Sequence, residues 1–138
     1  YPREYGELLT HLIKVHGFAI RLHCTRAAHC HCTDCQKATG SGKATIIFLP
    51  TDALNVNGEY KTYTVVGAEG SHVTRGFCSD CGCPIISYTE EVPETRFIKA
   101  GSLDDPSWVV ARSSFWSASA HAWSPVDLQL PSFTGNPG

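Results

Sequence analysis

The sequence predicts an all-β protein, a sandwich or open barrel with one short helix. Three observations carry this. About eight short runs alternate apolar and polar residues and are separated by turn signals. Only one stretch, the few residues after Cys32, reads as a helix. Six of the seven cysteines fall in two tight groups, which suits a small β fold pinned by metal.

The strands follow in order. Residues 7–16 alternate imperfectly and stop at Gly17, where a hairpin is expected. Residues 18–28 alternate better, with Phe18, Ile20, Leu22 and Cys24 on one face and Arg21 and His23 on the other. Thr33 is a candidate cap for the helix and Gly40 a candidate terminator. Residues 43–49 are β-rich and end at Pro50, and Asn57-Gly58 is a turn signal. Residues 60–66, 72–77, 85–88, 96–100 and 109–116 complete the strand set. Asp104-Asp105-Pro106 reads as a solvated turn. From Trp123 onward there is no periodicity, so an irregular tail pinned by Phe133 is expected.

Bulk properties narrow the function. One domain over 1–138 is the size expectation. A hydrophobic content of 42% with 17% charge sets the chain apart from disordered sequences. The net charge of −2 and the lack of any Lys/Arg run give no reason to expect a nucleic-acid or anionic-membrane partner. No run of about 20 apolar residues suggests a membrane span, and no export signal is visible. Cysteines this closely spaced favour metal over long-range disulfides, so a cytoplasmic, reducing setting is expected.

The chemistry centres on His29-Cys30-His31-Cys32-Thr33-Asp34-Cys35. Cys30 and Cys32 would share one side of a strand, and Cys35 would return from the helix start. Soft thiolates so spaced converge on one ion, normally zinc. Three ligands leave a fourth position for a substrate thiol, but a structural zinc knuckle with a distant fourth ligand fits the spacing as well. His29 and His31 should face away. The second group, Cys78-Ser79-Asp80-Cys81-Gly82-Cys83, fits a zinc-ribbon turn, with His11, Cys24 or Cys83 as further donors. Ser41 and Gly42, after the helix, are either backbone donors to a carboxylate of the ligand or simply a flexible loop. Trp108, Trp116 and Trp123 are either pocket-lining or core aromatics, and His121 either a general acid/base or a surface residue.

Cys30-His31-Cys32-x-x-Cys35-x-Lys37-x-x-Gly40, Arg75-x-Phe77-Cys78-x-x-Cys81-Gly82 and Lys99-x-Gly101-x-Leu103-Asp104-Asp105-Pro106 occur in that order. With Trp123-x-Pro125 and Leu130-Pro131-x-Phe133-x-Gly135, the set resembles the glutathione-dependent formaldehyde-activating enzyme family, which includes centromere protein V. The resemblance spans roughly residues 6–138. It implies a β-tent of stacked antiparallel sheets around zinc. It implies an active zinc on Cys30, Cys32 and Cys35, the catalytic candidates, with glutathione bound there; Ser41, Gly42 and Trp116 are our own candidates for contacting it. It implies that Cys78 and Cys81 give half of a structural zinc site. The implied reaction joins glutathione to formaldehyde, a carbon–sulfur lyase reaction run in reverse. The chain departs from the family pattern at Leu8 and Thr10, where two cysteines are usual, and at Ser114, where a histidine is often found. A non-catalytic zinc-stabilised module, or an enzyme for a larger metabolite, are the alternatives this leaves.

Overall fold

The computed structural model describes residues 11–15, 18–22 and 26–137. Ten strands and one α-helix lie within them. Strands β1 (His11–Val15), β2 (Phe18–Leu22) and β5 (Asn55–Asn57) form a three-stranded antiparallel sheet. The β1–β2 register puts Val15 opposite Phe18, the hairpin expected about Gly17. Gly6, Leu8, Thr10, Gly17 and Cys24 lie outside the described residues, as do the side chain of His11 and the proposed Phe18–Leu22 face.

The main sheet has seven strands: β3 (Arg26–Cys30), β4 (Ala44–Pro50), β6 (Lys61–Val66), β7 (His72–Phe77), β8 (Pro84–Thr89), β9 (Thr95–Lys99) and β10 (Ala111–Phe115). Their order across the sheet is β10-β3-β4-β9-β8-β7-β6. All neighbours are antiparallel except β10, which runs parallel to β3 with a register shift between Ala111 and Ser114. The all-β expectation holds, with that one parallel pair as an exception to the antiparallel pattern.

Alternation divides the sheet into two functional faces. Ala27, Ile47, Leu49, Ile86 and Ile98 share one face and are at most 5% exposed. Leu54, Tyr60, Trp108 and Val109 pack on this core. The lack of a Cβ at Gly76 is part of that packing: a methyl there would meet Ile86 and the Tyr60 ring at 2.6–2.7 Å. The opposite face carries Cys30, Ala44, Ile46, Phe48, Phe97 and Phe115. The register confirms this side, because Cys30 pairs with Ala44, Phe48 with Phe97, and Phe115 with Cys30.

Helix α1 (Thr33–Thr39) sits at the end of β3. Its cap is Cys32 rather than the expected Thr33. Cys32 has extended backbone and its Sγ accepts from the Cys35 N–H at 3.3 Å. A thiol fills the role because the chain turns one residue earlier than hydroxyl chemistry suggests. Gly40 ends the helix at φ 71°, donating to the Gln36 carbonyl at 2.8 Å, as expected for a left-handed terminator.

The tail after Trp123 has no strand of its own but covers the β10 edge. Phe133 N–H donates to Ser114 O at 2.9 Å, Ser114 N–H to Pro131 O at 3.0 Å, and the Phe133 ring lies 5.8 Å from Phe115. The tail therefore pairs with the edge strand at Ser114. Among the described residues, no helix is long and apolar enough to cross a membrane.

Candidate metal centre

The end of β3 and the first turn of α1 bring three sulfurs together. The Sγ atoms of Cys30, Cys32 and Cys35 all lie within 4.8 Å of one another. Cys30 and Cys35 are buried and Cys32 is half-buried. Among the described residues this is the one compact group of metal-ligating side chains. Neither neighbouring imidazole joins it. His29 Nδ1 lies 2.9 Å from Thr45 Oγ1. His31 is fully buried, its backbone N–H donating to Phe115 O at 3.0 Å, and burial, aided by the Lys43 charge, lowers its pKa.

The trio's electrostatics are those of thiols crowded around one shared charge. Hydrogen bonds from the Cys30 and then the Cys32 thiol push Cys35 down to about 2, with help from the charges of Lys99 and Arg75. Cys30 moves up, chiefly through its hydrogen bonds with Cys32 and Cys35 and through burial. At Cys32 the bond with Cys30 lowers the pKa, but the bond with Cys35 and burial outweigh it, and the net direction is up. One thiolate is thus held by two thiols. A soft divalent ion fits this all-sulfur donor set, because it replaces two protons with one dication. Adding zinc to metal-free protein in weak buffer should therefore release about two protons per ion near neutral pH. Affinity should fall as pH falls, since protons then compete for Cys30 and Cys32. A potentiometric titration showing no proton release would contradict this account.

Positioning of Cys35 depends on Gln36, which sequence reading did not single out. Its side-chain N–H donates to His31 O at 2.8 Å and Ser119 O at 3.0 Å, and its Oε1 lies 2.9 Å from His121 Nε2. One amide therefore ties the helix to the end of β3 and to the 117–121 segment.

The trio opens into a cavity of about 370 Å³. Ile46, Phe48, Phe97, Phe115 and Trp116 form an apolar wall beside the sulfurs. Phe48 meets Phe97 edge-on at 5.2 Å and Phe115 at 5.7 Å. Arg75, Ser87, Thr89 and Lys99 line the same cavity from β7, β8 and β9, and Asp34 and Glu69 also border it. A larger surface depression of about 710 Å³ lies by Pro50, Asp52 and Glu94. It holds no convergent ligating group, so the chemistry belongs to the cysteine cavity.

Of the residues marked from sequence, Cys30, Cys32, Cys35 and Trp116 meet here. Trp116 adopts a left-handed backbone at φ 57°, and its Nε1 donates to Asn136 Oδ1 at 2.7 Å. Asn136 in turn donates to Glu69 Oε2 at 2.9 Å, so the tail crosses one side of the cavity. Ser41 and Gly42 stay off the cavity lining. Ser41 is exposed, and a Cβ on Gly42 would overlap Ser124. Trp108 packs on the core face, and Trp123 is exposed, stacked on His121 at 5.1 Å. His121 also lies off the cavity lining.

The second cysteine group forms a turn at the end of β7. Gly82 at φ 78° donates to Cys78 O at 2.8 Å, and Cys78 N–H donates to Cys83 O at 2.9 Å. Cys78 is buried, Cys83 half-buried and Cys81 exposed. These three are not a compact trio. Of the other donors considered, Cys24 and the His11 side chain are outside the described set.

No curated protein matches the chain significantly. Residues 15–119, about three-quarters of the sequence, match the family described as glutathione-dependent formaldehyde-activating enzyme. That span takes in the cysteine trio, α1 and every strand that lines the cavity. This chain belongs to the glutathione-dependent formaldehyde-activating enzyme family.

Proposed function

We propose that the protein activates a thiol, glutathione in the first instance, for addition to formaldehyde or another small aldehyde. In reaction class this is carbon–sulfur lyase chemistry in the synthetic direction. The observation that carries the reading is the convergence of three cysteine sulfurs in the lining of a substrate-sized cavity. Cys30, Cys32 and Cys35 would hold zinc, which when bound supplies Lewis acidity and lowers the pKa of a coordinated thiol.

The chain's own residues supply the rest. No fourth ligating side chain joins the trio among the described residues, and three protein ligands is the count associated with substrate access. Phe48, Phe97, Phe115 and Trp116 exclude water from one side, which strengthens every charge interaction within. The positive charges of Lys99 and Arg75 act on Cys35 and favour anionic sulfur in the cavity. Cys78 and Cys81 remain candidates for half of a second, structural zinc site.

Titrating glutathione into the cobalt-substituted protein tests this reading. The expected result is a change in the cobalt–thiolate absorption as the tripeptide's sulfur coordinates. An unchanged four-ligand tetrahedral spectrum would instead mean a closed, non-catalytic zinc module.

A further inference from the structure

We propose that the aromatic wall of the cysteine cavity receives the substituent of the electrophile. The preferred aldehyde would then carry an apolar group about the size of a benzene ring, and formaldehyde would leave the wall unused. This rests on the cavity being the thiol-activating site and adds a substrate class to it.

Four rings carry the inference. Phe48 comes from β4, Phe97 from β9 and Phe115 from β10, and Trp116 follows Phe115 directly. All four pack against the cluster that contains Cys30 and Cys35, and all four line the cavity. The register sets them side by side, with Phe48 opposite Phe97 and Phe115 opposite Cys30. Phe48 is the hinge of the group: its ring meets Phe97 at 84° and Phe115 at 49°, with centroids 5.2 and 5.7 Å away.

What marks these rings is that they are left half-covered. Phenylalanine is among the residues most often fully buried, and the residues on the core face of this sheet are. Each of the four rings on the cavity face is only half-buried. Scattered exposed apolar residues are ordinary, but contiguous apolar surface inside a cavity is what a ligand covers. The floor of the same cavity, from β7, β8 and β9, carries Arg75, Ser87 and Lys99. The lining is thus divided into a polar floor and an apolar wall, with the sulfurs beside the wall.

Neither glutathione nor formaldehyde matches the wall. Glutathione is charged and polar along its length and suits the floor. Formaldehyde has one carbon and no substituent. A cavity of about 370 Å³ falls within the range of about 300–1,000 Å³ that holds drug-sized ligands. Tilted and edge-on rings present both faces and edges, the surfaces on which a further aromatic ring packs well. In the reaction the thiol sulfur bonds to the carbonyl carbon as the C=O π bond breaks. The thiol proton ends on the carbonyl oxygen, giving a hemithioacetal with no oxidant or reductant. The substituent takes no part in these bonds, so its burial is expressed as affinity.

Calorimetry on the zinc-loaded protein tests this with two stable thioethers, S-(2-phenylethyl)glutathione and S-ethylglutathione. They share the tripeptide and differ by one ring. The expected result is about 10-fold to 100-fold tighter binding of the phenyl compound, the scale of burying a phenylalanine-sized group. In turnover with glutathione, phenylacetaldehyde should exceed acetaldehyde in kcat/KM in the same direction. Phe97→Ala should shrink the affinity ratio several-fold, and Phe115→Leu provides a second variant should Phe97→Ala misfold. Equal affinity for the two thioethers would overturn the proposal, since the rings would then serve only to exclude water. So would a ratio unchanged in both variants. Failure of the thiol reading shows separately, as a cobalt spectrum unmoved by glutathione. In that case 2-phenylethanol and ethanol, which carry no sulfur, read the wall directly, and equal binding of the two would overturn the ring preference as well.

Discussion

Serine in place of Cys35 is expected to cost the protein its cluster metal and its turnover together. Cys35 is the sulfur on which the trio's charge settles, held down by hydrogen bonds from Cys30 and Cys32 and by the fields of Lys99 and Arg75. An alcohol ionises far less readily, so the remaining pair becomes an incomplete donor set. Losing a group that merely orients a metal ligand costs about 10-fold to 100-fold in metal affinity or activity. Removing the ligand itself should exceed that range. Metal analysis should show one equivalent fewer per chain, whatever happens at Cys78 and Cys81. Far-ultraviolet circular dichroism should be largely retained, because the main β core lies on the other side of the sheet. Full activity in a Cys35→Ser protein lacking that metal would refute the assignment.

The second large effect concerns stability. Ile98→Ala is expected to destabilise the fold by about 2–5 kcal/mol. Ile98 has no exposed surface and sits among Ile47, Ile85 and Ile86 at the centre of the core. It pairs with Ile47 on β4 and with Ile86 on β8, so its truncation opens a void shared by three strands. A melting temperature lower by roughly 7–17 °C follows for a chain of this size. The cobalt absorption of the folded variant should be close to that of the unmodified protein, because its neighbours Phe97 and Lys99 point to the opposite face. A melting curve within a degree or two of the starting protein would show that the void collapses without cost.

These two sites differ in how readily sequence announces them. The cysteine trio was legible because its members lie within six residues, and local spacing fixes which sulfurs can meet. Most strands were legible through alternation, and Gly17, Gly40 and Pro50 mark where the breaks were expected. The β5 strand was missed because three residues, Asn55–Asn57, are too short to show a period. The parallel placement of β10 was hidden because pairing direction depends on the path between β3 and β10. The cavity floor escaped for the same reason. Arg75, Ser87 and Lys99 become neighbours only once β7, β8 and β9 are in register, and nothing local reveals that register. One faint signal existed: a lysine inside the short apolar run Phe97-Ile98-Lys99-Ala100. Ser41 and Gly42 were marked for their loop chemistry; neither lines the cavity, Ser41 being exposed and Gly42 lying against Trp123 and Ser124.

The two-faced sheet has a consequence for how such a chain tolerates length changes. In β7, β8 and β9 Arg75, Ser87, Thr89, Phe97 and Lys99 serve the cavity, while Ile86 and Ile98 serve the core; Ile85, at the start of β8 beside the register shift at Gly76/Phe77, is a core residue outside this alternation. Inserting or deleting a single residue within one of these strands would exchange the two sets, driving charge into hydrocarbon and isoleucine towards the ligand. Length changes should therefore be tolerated in the connecting turns and not within these strands.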